Sequence, residues 1–254
     1  MMDDEPLLSA RDLLKRYNGR AVVNRLSFEV HAGEIVGLLG RNGAGKTTTF
    51  RMVVGMIEPE QGVVCFEGAP VTTLPMYKRA RLGMGYLSQE PSVFQRLSVR
   101  DNLLAILETM PGLSRKERRQ QAQQLIAQFG LTEQSDQFAR TLSGGERRKL
   151  EIARALVTSP KLIMLDEPFS GVDPVAVEDL QTEIMRLKRE RGIAILLTDH
   201  NVRETLRVTD RSYIIHDGQK LAEGPAADLV RNELVRRTYL GSSFRGDEFD
   251  HVEA

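Results

Sequence analysis

The chain has 254 residues and one cysteine, Cys65, so no internal disulfide can form and a cysteine-built metal site has no ligands to draw on. Within "GVVCFEG", Cys65 is expected to act as a small buried apolar residue. Charge of one sign is also missing: 35 Lys plus Arg balance 35 Asp plus Glu. That balance lacks the basic field of a nucleic-acid binder, and nucleic acid is not an expected partner. Long apolar runs are absent, all falling well short of the roughly 18 residues that a membrane-crossing helix needs. The acidic opening "MMDDEPLLSARDLL" lacks the apolar centre of a secretory signal. The expectation is a cytoplasmic protein that meets a membrane only through partners. Internal repeats and low-complexity linkers are lacking too, and only "RGDEFDHVEA" reads as a loose polar tail.

What is present is enough apolar material, 41% of residues, for a substantial core. "AVVNRLSFEV", "EIVGLLG" and "GVVCFEG" read as strands, and between the last two "KTTTFRMVVGMI" reads as a helix after a Gly-rich start. From about Val99 to Ser159 the pattern turns helical. "RKERRQQAQQLIAQFG" sets Ala122, Leu125, Ile126 and Phe129 on one face. "KLIMLD" and "AILLTDH" then return as continuous apolar strands, the kind covered on both faces in a parallel sheet. The helix between them, about Pro174 to Glu190, has Val177, Leu180, Ile184 and Leu187 in phase. The fold class is α/β with an inserted helical subdomain.

"GRNGAGKT" fits the phosphate-loop pattern in the setting it requires, after a strand and before a helix. Gly40, Arg41, Asn42, Gly43, Ala44, Gly45, Lys46, Thr47 and the following Thr48 form the expected cradle. Glycines 40, 43 and 45 let the backbone curl its N–H groups toward phosphates. Lys46 is expected to bridge the β- and γ-phosphates of ATP, and Thr47 to offer its hydroxyl to Mg²⁺. "LIMLDEP" brings two carboxylates to a strand's C-terminal edge, where open α/β sheets bind ligands. Asp166 suits the Mg²⁺ shell, and Glu167 suits the polarisation of an attacking water. "LSGGERRKLEIARAL" opens a helix with a serine and glycines whose free N–H groups could meet an anion. A second such site makes most sense facing the nucleotide of another copy.

With these motifs in this order, nearly the whole chain resembles the ATP-binding cassettes of ABC transporters, whose "LSGG" signature stands intact at 142–145. The resemblance implies a P-loop NTPase with a RecA-like core, an N-terminal antiparallel β subdomain and the inserted helical subdomain. Core segments fall at about 5–92 and 160–241, the helical part at about 93–159, and a polar tail at 242–254. It also implies a homodimer closed head to tail around ATP. Ser143, Gly144 and Gly145 would meet the partner's nucleotide, with Ser143 and Gly145 on its γ-phosphate. Gln89 of "YLSQE" would reach Mg²⁺ and water, although Ser88 replaces the proline common before it. Tyr17 would stack on adenine, Asp173 would sit at the dimer seam, and His200 of "TDHNVRETL" would hold the γ-phosphate.

"YLSQEPSVFQRLSVRDNL", "DEPFSGVDP", "TDHNVRETL" and "YLGSSF" look most like the ATP-binding subunits of lipopolysaccharide exporters, with branched-chain amino-acid importers as the alternative. In that family, helices of transmembrane permease subunits dock beside the Q-loop. Phe94 as an apolar anchor and Arg96 as a charged contact are the residues expected there, with internal packing of Phe94 as the competing expectation. A soluble cassette acting in translation or DNA repair would typically carry two cassettes or a long coiled coil. This chain shows one phosphate loop and one signature.

Overall fold

The computed structural model describes residues 5–241 together with Phe244 and Phe249. Apart from those two phenylalanines, the tail expected at 242–254 lies outside the described residues, as do Ser242 and Ser243 of "YLGSSF".

Two sheets organise the molecule. The smaller is antiparallel in the order β2 (Arg20–Val30), β1 (Leu8–Tyr17), β4 (Gln61–Phe66), β5 (Ala69–Pro70). Strand β1 occupies the opening segment to which sequence analysis gives no element. Its turn into β2 is Asn18-Gly19, both with positive φ (49° and 77°), a tight hairpin signal. Alternation along β4 turns Val64 and Phe66 inward. That alternation leaves Cys65 on the opposite face and only half-buried, which corrects the expectation of a buried cysteine.

The larger sheet has six strands: β10 (Gln219–Gly224), β9 (Arg211–His216), β3 (Ile35–Gly40), β8 (Ala194–Thr198), β7 (Leu162–Asp166) and β6 (Met84–Leu87), in that order. All pairings are parallel except β10 with β9. That hairpin turns at Asp217-Gly218, again with positive φ at both positions. The apolar runs of the central strands divide with a period of two. Val36, Leu38, Leu162, Met164, Ala194 and Leu196 join the core shared with the small sheet. Ile35, Ile163, Leu165, Ile195 and Leu197 join the core shared with the helical insertion. Continuous hydrophobicity here means two cores served alternately.

The insertion comprises α3 (Val99–Leu107), α4 (Arg115–Gln128) and α5 (Gly144–Leu156). Ala122, Leu125, Ile126 and Phe129 are all buried on α4, the face that periodicity predicts. Helix α6 (Pro174–Arg191) likewise buries Val177, Leu180, Ile184 and Leu187, and ends at Gly192 with φ 62°. Helix α1 (Lys46–Val54) ends at Gly55. Its last carbonyls are gripped by Arg79 of α2 (Met76–Leu82): the guanidinium, 1% exposed, donates to the oxygens of Met52 (2.8 Å), Val53 (2.5 Å), Thr72 (2.6 Å) and Leu74 (2.8 Å). The chain closes over the sheet with α7 (Val202–Leu206), α8 (Ala226–Arg231), α9 (Glu233–Val235) and a π turn at Arg236–Leu240.

Candidate functional site

Strands β3, β8 and β7 are neighbours, so the loops leaving their C-terminal ends converge: residues 40–45, 199–201 and 167–173. Strand β6, at β7's other edge, delivers Gln89 to the same place. An open cleft of about 510 Å³ results, lined by Asn42, Gly43, Gly45, Lys46, Thr47, Thr48, Gln89, Glu167 and His200, with Val22 and Ser170. Arg41 and Ala44 line the adjoining cavity, together with Arg20, His216 and Asp217.

In the loop 40–47 the glycines differ from the sequence expectation at one position. Gly43 and Gly45 have positive φ (82° and 105°), conformations that favour glycine. Gly40 does not, and is required by space instead: a Cβ there would collide with the Ile215 carbonyl oxygen and lie 3.1 Å from the Ala44 Cβ. Gly40→Ala should therefore destabilise the fold by about 1–3 kcal/mol and weaken ATP binding about tenfold. Denaturant unfolding and nucleotide titration read both quantities, and wild-type values for both would show that the Ile215 carbonyl yields.

Lys46 is buried, its ammonium donating to the carbonyls of Gly40 (2.7 Å) and Arg41 (3.3 Å). Burial pulls its pKa down, against the opposing attraction of Glu167, Asp166 and Asp199. Asp166 lies behind the cleft, 2% exposed. Burial, then repulsion from Glu167, pushes its carboxyl up to about 6. One of its oxygens, Oδ2, accepts from the Tyr86 hydroxyl at 3.4 Å, while Oδ1 is buried with no partner.

Glu167 adopts a left-handed conformation, φ 49°, and its N–H donates to the Thr198 carbonyl at 2.7 Å. A glutamate held in this region is mildly strained, and the strain turns its side chain off the strand line into the cleft. There Oε2 accepts from Gln89 Nε2 at 2.8 Å and lies 3.6 Å from His200 Nδ1. Asp199, which the sequence marks only as a neighbour of His200, is fully buried. Its Oδ2 accepts from Phe169 N–H and its Oδ1 from Asn201 N–H, both at 2.9 Å, and Oδ1 is 3.4 Å from His200 Nδ1. One carboxylate thus ties together the loops that carry Glu167 and His200. A buried acid in "TDHN" beside a histidine was the available signal, but its partners are set by the fold.

Other predicted residues lie elsewhere. Tyr17 is 47% exposed at the end of β1 and lines neither cavity. Ser143, Gly144, Gly145 and Asp173 form a second surface, where a Cβ on Gly145 would fall 2.7 Å from the Ala176 Cβ. Asp173 caps α6, its Oδ1 accepting from Ala176 N–H at 3.0 Å. The signature's N–H groups are not all free, contrary to expectation. Glu146 Oε2 accepts from Ser143 N–H (2.8 Å), while Glu146 N–H donates to Ser143 Oγ (3.2 Å). This capping box was legible as "SGGE".

Comparison with known proteins points to one family. The sequence profile of the family described as ABC transporter matches residues 23–170. The lipopolysaccharide export system ATP-binding protein LptB of Acidithiobacillus ferridurans is 51% identical over 239 residues, 94% of this chain and 98% of that relative. LptB of Escherichia coli K12 is 50% identical over 238 residues, covering 94% and 98%. Among solved structures, an ATP-binding cassette of an ABC transporter in its ADP conformation superposes with a TM-score of 0.84 at 28% identity, covering 93% of this chain and 99% of that one. The chain belongs to the ABC transporter family, as one of its ATP-hydrolysing cassettes.

Proposed function

We propose that this cassette powers lipopolysaccharide export from the cytoplasmic face of the inner membrane, working as a head-to-tail dimer attached to transmembrane permease subunits. The observation that carries the substrate class is the identity of about half to LptB proteins across nearly the full length of both chains. Among the described residues no helix is long and apolar enough to cross a membrane, consistent with attachment through partners.

ATP would lie with its phosphates on the loop 40–47, held by inward N–H groups, the α1 N-terminus and Lys46. The adenine would stack on Tyr17. Thr47, Asp166 and Gln89 would hold Mg²⁺, which neutralises charge on the phosphate oxygens when bound. The fit rests on the orphaned, buried Oδ1 of Asp166. One carboxylate with a hydroxyl and an amide suits Mg²⁺, an ion that keeps water and phosphate oxygens in its shell. Glu167 Oε2 would accept a hydrogen bond from the attacking water and take its proton as the water's oxygen bonds to the γ-phosphorus and the bond from that phosphorus to the β–γ bridging oxygen breaks, the electron pair leaving with ADP. Gln89 would orient the same water. His200, its Nδ1 turned toward Asp199 and Glu167, would hold the γ-phosphate. Ser143, Gly144 and Gly145 are outside their own cleft and would complete the site of a second copy, with Asp173 at the seam.

Permease subunits would dock at Phe94 and Arg96. Phe94 is 44% exposed, so internal packing does not account for it. Its ring is covered on one side by Arg154, 4.5 Å from the centroid, and its main chain is fixed by Asn102 at 2.8 Å and 3.1 Å. Copurification from native membranes, with mass identification of bound subunits, tests the proposal. Recovery of lipopolysaccharide-export permease subunits is the expected result, and recovery of amino-acid permease subunits would sink it. Phe94→Ala should abolish that recovery while leaving basal hydrolysis within about twofold of wild type, because the residue is outside the cleft.

A further inference from the structure

Helix α6 buries one polar side chain in its apolar stripe, Gln181, 7% exposed between Leu180 and Ile184. Burying an amide there is unfavourable unless it is paired, and leucine or methionine would complete the stripe without that cost. The pairing is with α7: Gln181 Nε2 donates to the Glu204 carbonyl at 3.0 Å and to Glu204 Oε2 at 2.7 Å. Both protons of one amide nitrogen thus grip one residue. Glu204 Oε2 also accepts from Arg207 Nη1 at 3.3 Å, so the carboxylate is held from α6 and from its own segment.

Helix α7 has five residues, too few to be stable alone, so its place is set by what it packs on and bonds to. Asn201 alone separates it from His200. Glu204 N–H donates to Asn201 Oδ1 at 3.5 Å and Asn201 N–H to Asp199 Oδ1 at 2.9 Å, and that same oxygen is 3.4 Å from His200 Nδ1. The path from Gln181 to the imidazole is continuous. Toward its start, about two turns before Gln181, α6 is capped by Asp173 and packs on the signature helix, where Ala176 Cβ leaves no room for a side chain on Gly145. Lys149 Nζ of α5 donates to Asp179 Oδ2 at 2.7 Å across the same contact. We propose that Gln181 is a positioning residue for hydrolysis: it docks the His200 segment on α6, so that the histidine's place at the γ-phosphate is set from the helix that Asp173 caps. The inference rests on the reading that His200 acts at the γ-phosphate.

The test is steady-state ATP hydrolysis and urea unfolding of the full chain carrying Gln181→Met, Gln181→Lys, His200→Ala, or Gln181→Met with His200→Ala. Methionine fills a similar volume and cannot donate, while lysine can still donate to the Glu204 carboxylate. Gln181→Met should lower kcat about fivefold, with KM for ATP within about twofold and an unchanged unfolding midpoint. Gln181→Lys should keep kcat within about twofold of wild type. In the His200→Ala background the methionine should have less than about a twofold effect, since the two residues would act as one unit. Amide hydrogen exchange over 199–206 should quicken with Gln181→Met and not with Gln181→Lys. A wild-type kcat for Gln181→Met, beside a defective His200→Ala, overturns the glutamine's role alone. Equal losses from methionine in both backgrounds, or a loss that a folded Gln181→Lys leaves unrepaired, overturn it as well, showing a packing effect. Wild-type hydrolysis by His200→Ala overturns the parent reading and the route to His200 with it.

Discussion

Glu167→Gln lowers steady-state ATP hydrolysis by about 10³-fold, within the range removed when a positioned general base is lost, while ATP binding stays near wild type. The exchange is isosteric, and the new amide can present its oxygen to Gln89 Nε2, which now reaches the carboxylate at 2.8 Å. The backbone keeps the Thr198 contact at 2.7 Å that stabilises its left-handed conformation. Only the ability to accept a proton from water is lost. The variant is therefore expected to accumulate as an ATP-bound dimer, measured by phosphate release, retained nucleotide and light scattering. Undiminished turnover would remove Glu167 from its role.

Arg79→Ala unfolds the protein at markedly lower denaturant, a loss of about 3–5 kcal/mol, the range seen when one side of a buried charged network is deleted. The guanidinium's hydrogen bonds go to four main-chain carbonyls in two separate segments, 52–53 and 72–74. Two of those oxygens belong to the last turn of α1, so the cation is compensated by the negative end of that helix. Deleting it takes a donor from all four acceptors at once, although the Met52 oxygen keeps the Gly55 N–H at 3.2 Å. Arg79→Lys should recover little, because one ammonium cannot span acceptors that a planar fork reaches. Equilibrium urea unfolding checks both variants, and a loss under about 1 kcal/mol for alanine would show that water satisfies the carbonyls.

What the sequence makes legible, and what it hides, follows the range of the interaction. The phosphate loop, the strand "LIMLD" and the buried faces of α4 and α6 depend on neighbours within a few residues, and spacing reveals them. The hairpins at Asn18-Gly19 and Asp217-Gly218 carried a local signal as well, and so did the Ser143–Glu146 capping box. Arg79 carried none. An arginine in "MYKRARL" reads as a solvated helix charge, because the carbonyls that bury it are brought by α1 and by the loop before α2. Asp199 has the same character: two loops from different strands supply its N–H donors. Gly40 was assigned a turn's freedom when its real constraint is the Ile215 carbonyl, more than 170 residues away in sequence. Among the site residues, those of the cleft were gathered by strand order, while the signature's distance from its own cleft had to await the fold.

The alternation along β3, β7 and β8 gives the sheet a mechanical meaning. Ile163 and Leu165 anchor the helical side while Leu162 and Met164 anchor the nucleotide side, so no side chain of β7 serves both. Core repacking on one side then stops at the sheet, which behaves as a partition. On the reading that a permease docks at Phe94, its route to the phosphates runs along the rim of that partition, through the strand-end segments at Gln89, Glu167 and Asp199, which hydrogen bonds join.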